Sequence, residues 1–144
     1  WNLGFETRLF SQAYVYHKRR IDWDKFSMQV NKFGKARPIL NSWYPEHTKL
    51  TFYFPSLFTL GFLCSILLLL VGFKWLFACY VLYFMSVFAL ATTQNRSLKI
   101  GLFSILAVWK QFYGYGTGFI KSYFKIIILK QKPQEAFPEL FFKS

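Results

Sequence analysis

Two long apolar blocks dominate the chain. Residues 50–73 (LTFYFPSLFTLGFLCSILLLLVGF) and 75–92 (WLFACYVLYFMSVFALAT) carry no charge, and Lys74 alone separates them. About 20 apolar residues suffice for a helix to cross the hydrocarbon core. Neither block alternates as a barrel strand would, so each predicts a membrane-spanning helix. Upstream, residues 22–36 predict a helix of another kind. Asp22 can cap it, and Lys25 and Phe26 lie in its first turns. Phe26, Val30 and Phe33 share one side, with Asp22 or Trp23 a turn back, while Lys25, Lys32 and Lys35 fall elsewhere. That is a basic amphipathic helix suited to lie along a membrane surface. Gly34 and Pro38 bracket its expected end, Pro45 interrupts the path to the first span, and Pro55 marks a first turn or a kink.

The flanks are less regular. Phe5–Leu9 and Ala13–Tyr16 read as short extended pieces, like the closing edge of a larger α/β domain, since two short strands alone are barely stable. Leu98–Trp109 is largely apolar but only 12 residues long, too short to span. Extension to Ile120 gives the length, yet places Lys110 and Gln111 near the middle and adds Gly114, Gly116 and Gly118. A third span would strand Lys121, Lys125, Lys130, Lys132 and Lys143 on the far side; a re-entrant or interfacial helix would not. The end, KPQEAFPELFFKS, reads as a loosely held tail. The expected organisation is therefore 1–20 as a domain edge, 21–49 as interfacial helix and linker, 50–121 as the membrane region (50–73, 75–92 and 98–120), and 122–144 as a basic tail.

Composition supports a membrane protein: 54% of the residues are hydrophobic and 23% aromatic, and spanning helices favour Trp and Tyr at both interfaces. With 144 residues, little chain remains for a soluble core, which excludes a complete soluble catalytic domain. The chain begins with Trp, and no signal peptide precedes the apolar part, as expected of a piece of a longer protein. Eighteen Lys and Arg face six Asp and Glu, a formal net charge of +12. Their placement before the first block and after the second puts residues 1–49 and 93–99 in the cytoplasm and Lys74 on the far side. Basic segments next to spans contact anionic headgroups, so this charge predicts a bilayer partner and no nucleic acid. Cys64 and Cys79 lie in the apolar blocks as small hydrophobes, without metal-ligand spacing.

Several segments carry a resemblance: Gly4-Phe5-Glu6-Thr7-Arg8-Leu9, Tyr14-Val15-Tyr16-His17-Lys18-Arg19-Arg20, and Phe26-x-x-Gln29-x-x-x-Phe33-Gly34-Lys35-Ala36-Arg37. Pro45, Lys49 and Pro55 follow, then Gln111-x-x-x-Tyr115-Gly116-x-Gly118-Phe119. In this order they resemble the membrane-proximal end of bacterial family-2 glycosyltransferases, in which a cytoplasmic GT-A domain precedes interfacial and spanning helices. The resemblance covers about four fifths of the chain. It implies that the nucleotide-binding strand, the Asp-x-Asp metal motif and the catalytic base lie upstream. Asp22-Trp23-Asp24 has the Asp-x-Asp spacing but opens the expected helix, where acids are favoured by its dipole. No catalytic residue and no metal ligand are therefore assigned to this chain. A divalent metal (Mg or Mn) and a nucleotide-sugar are implied for the full-length enzyme.

Six residues are candidates for phosphate or acceptor binding: His17, Arg19, Arg20, Gln29, Arg37 and Gln111. Arg19 and Arg20 match phosphate oxygens, although Lys18, Arg19 and Arg20 equally suit a membrane-surface anchor. His17 is a weak metal candidate without neighbouring ligands. Gln29 and Arg37 look like a differently spaced cousin of the Gln-x-x-Arg-Trp motif that related enzymes place at the active-site mouth. Gln offers a donor and an acceptor to sugar hydroxyls, and Arg offers charge to a phosphate; the alternative is the polar face of a surface helix. Gln111 echoes the pattern, and the glycines around it favour close helix packing over ligand approach. The resulting expectation is an all-α membrane protein: a basic interfacial helix, two transmembrane helices and a third membrane-associated helix, after a short GT-A remnant. It would be the acceptor-facing module of a multi-pass inner-membrane glycosyltransferase with its N-terminal segment cytoplasmic. Its partners would be the bilayer, the upstream GT-A domain and a lipid-linked or saccharide acceptor. The alternative is a small non-enzymatic membrane subunit or assembly protein.

Overall fold

The computed structural model describes residues 4, 6–10, 12–16 and 22–141. It is all-helical, with no strand among the described residues. Four long helices follow one another: α1 (Trp23–Trp43), α2 (Phe54–Leu70), α3 (Trp75–Asn95) and α4 (Leu98–Ser122). A π-helical turn, Tyr123–Ile128, prolongs α4, and the short helix α5 (Pro133–Ala136) leads into the tail. Residues 6–10 and 12–16 are exposed coil. The short extended pieces read from the sequence find no sheet to join there, and a strand without a sheet has no partner for its backbone.

Asp22 caps α1 as its position predicts, its carboxylate accepting from the backbone N–H of Asp24 at 2.7 Å and of Lys25 at 3.2 Å. The expected end at Gly34 and Pro38 is wrong, because α1 runs on to Trp43 with Pro38 inside it. Proline removes one helical hydrogen bond and crowds the carbonyl four residues back, which here is that of Gly34. The helix survives because Pro38 is fully buried, where the second half of α1 packs against residues 123–128. Gly34 marks an approach between helices and not a stop.

The first apolar block forms less helix than expected. Leu50–Phe52 is a 3-10 turn, Pro55 sits in the first turn of α2, and Gly72 turns the chain with φ of 90°. The 17 residues of α2 span about 26 Å, against about 30 Å for a hydrocarbon core. Among the described residues α3 alone is long and apolar enough to cross a membrane.

α4 is the centre of the packing, with α1 on one side and the α2–α3 hairpin on the other. α1 runs parallel to it: Ser27 meets Lys110, Val30 meets Gly114, Lys35 meets Gly118 and Ile39 clusters with Ile126. α2 runs antiparallel, with Phe62 on Trp109, Thr59 on Phe112, Ser56 on Gly116 and Tyr53 on Phe119. The glycines permit these contacts. A Cβ on Gly34 would stand 2.9 Å from the Tyr115 carbonyl carbon, and one on Gly116 would stand 2.8 Å from the Pro55 oxygen. One on Gly118 would collide with the Asn31 carbonyl. The glycines of α4 therefore serve packing, Gly114 and Gly118 toward α1 and Gly116 toward α2.

The burial pattern is inverted from that of a water-soluble domain. α2 buries Ser56, Thr59 and Ser65 and exposes Leu57, Leu60, Leu63, Leu67 and Leu70. Its buried hydroxyls turn to carbonyls: Thr59 donates to Pro55 (2.8 Å) or Phe112 (3.0 Å), and Ser65 to Phe62 at 2.6 Å. Aromatic rings fill the seam between the hairpin and α4, with Phe58 stacked on Phe112 at 4.2 Å and edge-on to Tyr80 at 4.9 Å. The free cysteines Cys64 and Cys79 are exposed on the outer faces.

Candidate functional site

A groove of about 570 Å³ opens between α1 and α4. Gln29, Phe33 and Arg37 lie four residues apart along α1 and so share one face, while Gln111 and Tyr115 stand four apart on α4. Phe26, Val30, Ala36 and Leu40 complete an apolar lining, and Arg37 is its charged member. Three of the six residues expected from the sequence thus converge from segments more than 70 positions apart. His17, Arg19 and Arg20 lie outside the described residues.

Arg37 is held rather than left to wave. Its guanidinium lies over the Phe52 ring at 3.9 Å, beside the Tyr115 side chain that lines the same groove. A cation stacked on a ring gains electrostatically from the ring's negative face, the more so when half-buried. Guanidinium carries five N–H donors in a fixed fork, so donors remain for an incoming anion. Gln29 is half-buried and Gln111 exposed, at the rim. The amides add both donors and acceptors, which suit hydroxyl-rich ligands.

The wall of the groove is fixed by a polar clamp behind it. Asn31 donates through Nδ2 to the Gly114 carbonyl at 2.9 Å, with Thr117 Oγ1 at 3.4 Å. Lys110 Nζ donates to Ser27 Oγ at 3.3 Å and stands 6.0 Å from the Trp23 ring. These bonds set the register of α1 on α4 and hence the distance between Arg37 and Gln111. Further along, Phe137 is buried between Ile39 and Ile126, and Lys35 pairs with Glu139 at 2.9 Å. That hydrogen bond from Lys35, with a backbone hydrogen bond, holds the Glu139 carboxyl below the usual carboxylate range. The tail is thereby docked against α1.

Sequence reasoning did not assign Tyr115, Phe52 or Asn31 to the site. The four-residue spacing of Gln111 and Tyr115 is a signal for the first. Nothing in the order of residues signals that Phe52, in a 3-10 turn before α2, would meet Arg37. The apolar side of α1 also divides otherwise than expected: Val30 is buried against Gly114, whereas Phe26 and Phe33 line the groove and Phe33 remains 58% exposed. Among the described residues no three His, Cys, Asp or Glu side chains come together as metal ligands. Asp22 Oδ1 accepts both cap hydrogen bonds, which places the Asp22-Trp23-Asp24 run at the start of α1.

No protein-family profile matches the chain, and no curated protein or solved structure matches it either.

Proposed function

We propose that the chain is the membrane-anchoring, acceptor-facing module of an inner-membrane family-2 glycosyltransferase. The parent enzyme transfers a sugar from a nucleotide-sugar to a lipid-linked or polysaccharide acceptor. The observation that carries this reading is the convergence of Gln29, Arg37 and Gln111 on one half-apolar groove with an anchored guanidinium. Such a lining suits an amphiphile bearing a phosphate and hydroxyls. Membrane insertion is supported by the inverted burial of α2 and by the apolar α3. In lipid, small residues let helices approach while large apolar side chains face the acyl chains. The divalent metal and the nucleotide-sugar belong to the upstream GT-A domain in this reading. The chain's own part is to bind and orient the acceptor.

The test is binding of a polyprenyl-diphosphate oligosaccharide to the purified chain in nanodiscs, followed by native mass spectrometry. The glycolipid is expected to bind in preference to phosphatidylglycerol. Arg37→Gln is expected to weaken it about ten-fold or more, the loss of a charge-assisted hydrogen bond being worth ~1.5–3 kcal/mol. Equal retention of phosphatidylglycerol and glycolipid, or sugar transfer catalysed by residues 1–144 alone, would sink the reading. In the first case the alternative of a non-enzymatic membrane subunit would stand.

A further inference from the structure

We infer that α4 does not cross the membrane: the chain crosses twice, through α2 and α3, and α1 with α4 forms a helix pair braced against the basic end of that hairpin. This rests on the membrane reading above and decides what the sequence leaves open.

Both ends of α4 sit at one end of the hairpin. The helix starts beside the C-terminal end of α3, where Gly101 abuts Phe88 and Thr92. It finishes beside the N-terminal end of α2, where the rings of Phe119 and Tyr123 lie 5.1 and 6.5 Å from that of Tyr53. α2 and α3 cross antiparallel near their middles, Phe58 meeting Tyr83 and Phe62 meeting Phe77, so these two ends lie on the same side of that crossing, about 27 Å apart along α4. They lie opposite the Lys74 turn. A third antiparallel span would finish near Gly72 instead. The 25 residues of α4, about 38 Å long, run from one leg of the hairpin to the other.

Charge leads to the same arrangement. Lys99, Lys110 and Lys121 recur every 11 residues, which is close to three full helical turns, and so form one stripe along the whole of α4. Apolar and polar positions segregate around α4, whereas α2 and α3 are uncharged and show little such segregation. α1, parallel to α4 along its length, exposes Asp24, Lys25 and Lys32. Carrying α4 across the bilayer would draw these charges in with it, and an ionised side chain near the bilayer centre is costly. With α4 held back, every Lys and Arg except Lys74 falls on one side, as the positive-inside rule requires. The groove between α1 and α4 then opens on the same side as the lysine-rich tail.

The test is cysteine accessibility of the full chain in bacterial spheroplasts, on a Cys64→Ser, Cys79→Ser background. Single cysteines replace the exposed Glu46, Lys74 and Gln134, and an impermeant maleimide is applied before and after permeabilisation. Labelling of Lys74→Cys from outside, with Glu46→Cys and Gln134→Cys reacting only after permeabilisation, is the expected result. Glu46→Cys and Gln134→Cys on opposite sides would overturn the inference and leave the membrane reading intact. All three positions on one side would overturn both.

Discussion

Gly34 and Gly114 both face the α1–α4 seam, yet an added methyl should act with opposite sign at the two positions. At Gly34 the new Cβ would meet backbone on the facing helix: the Tyr115 carbonyl, with its carbon at 2.9 Å, and the Phe119 nitrogen at 3.0 Å. Backbone inside a helix cannot swing aside, so α1 and α4 must separate. Overpacking of this kind costs about 1–3 kcal/mol, offset by ~1 kcal/mol from the better helix propensity of alanine. Because every near neighbour is main chain, the upper part of that range applies. Gly34→Ala should lose about 1–2 kcal/mol net. At Gly114 the Cβ would rest 3.5 Å from Val30 Cγ1 and 3.6 Å from the Ser27 carbonyl oxygen, ordinary contact distances. Gly114→Ala should therefore keep most of the propensity gain, roughly 0.5–1 kcal/mol. The assay is unfolding of the purified chain in mixed micelles by titrated dodecyl sulfate. It is read by tryptophan fluorescence, to which Trp23 and Trp109 on the two helices contribute. A Gly34→Ala protein as stable as the parent would refute the close-approach argument, and so would a Gly114→Ala protein destabilised to the same degree.

Asn31→Leu removes the hydrogen bond to the Gly114 carbonyl and should cost ~0.5–1.5 kcal/mol in the same titration, while Lys32→Gln, on the exposed side, should change little. Phe137 is 1% exposed between Ile39 and Ile126, so Phe137→Ala should undock the tail, and trypsin cleavage after Lys130 should accelerate by about ten-fold or more. Glu139 is held below its usual range by Lys35; its contribution is thus complete above the unfolded carboxylate value and disappears as pH falls through the lowered one. Glu139 is exposed although Lys35 is half-buried, so the effect is small, but fluorescence of Trp43, 6.3 Å from the Phe141 ring, should change on acidification and lose that change in Lys35→Met.

The chain's class was written in its sequence, because hydrophobic periodicity and local stereochemistry act between near neighbours. Two uncharged blocks with a lysine between them specify an apolar hairpin, Asp22 specifies a helix start, and the spacing of Gln29, Phe33 and Arg37 specifies a shared face. Long-range contacts were not legible. Gly34 and Pro38 carry a helix-ending signal, and α1 continues through them only because α4 and the turn after it bury that side. The Asp22-Trp23-Asp24 run matches a metal motif in spacing, and its first carboxylate caps α1. Gln29 and Gln111 resemble one another as motifs, but only the parallel register of α1 on α4, set by Asn31, Lys110 and three close-packed glycines, brings them to one groove. The same holds for the course of α4: its 25 residues give a length, but only packing shows that it starts against α3, Gly101 on Thr92, and finishes at the start of α2, Phe119 on Tyr53. Length and hydropathy are properties of a segment, whereas the side on which a helix ends is a property of what it packs against.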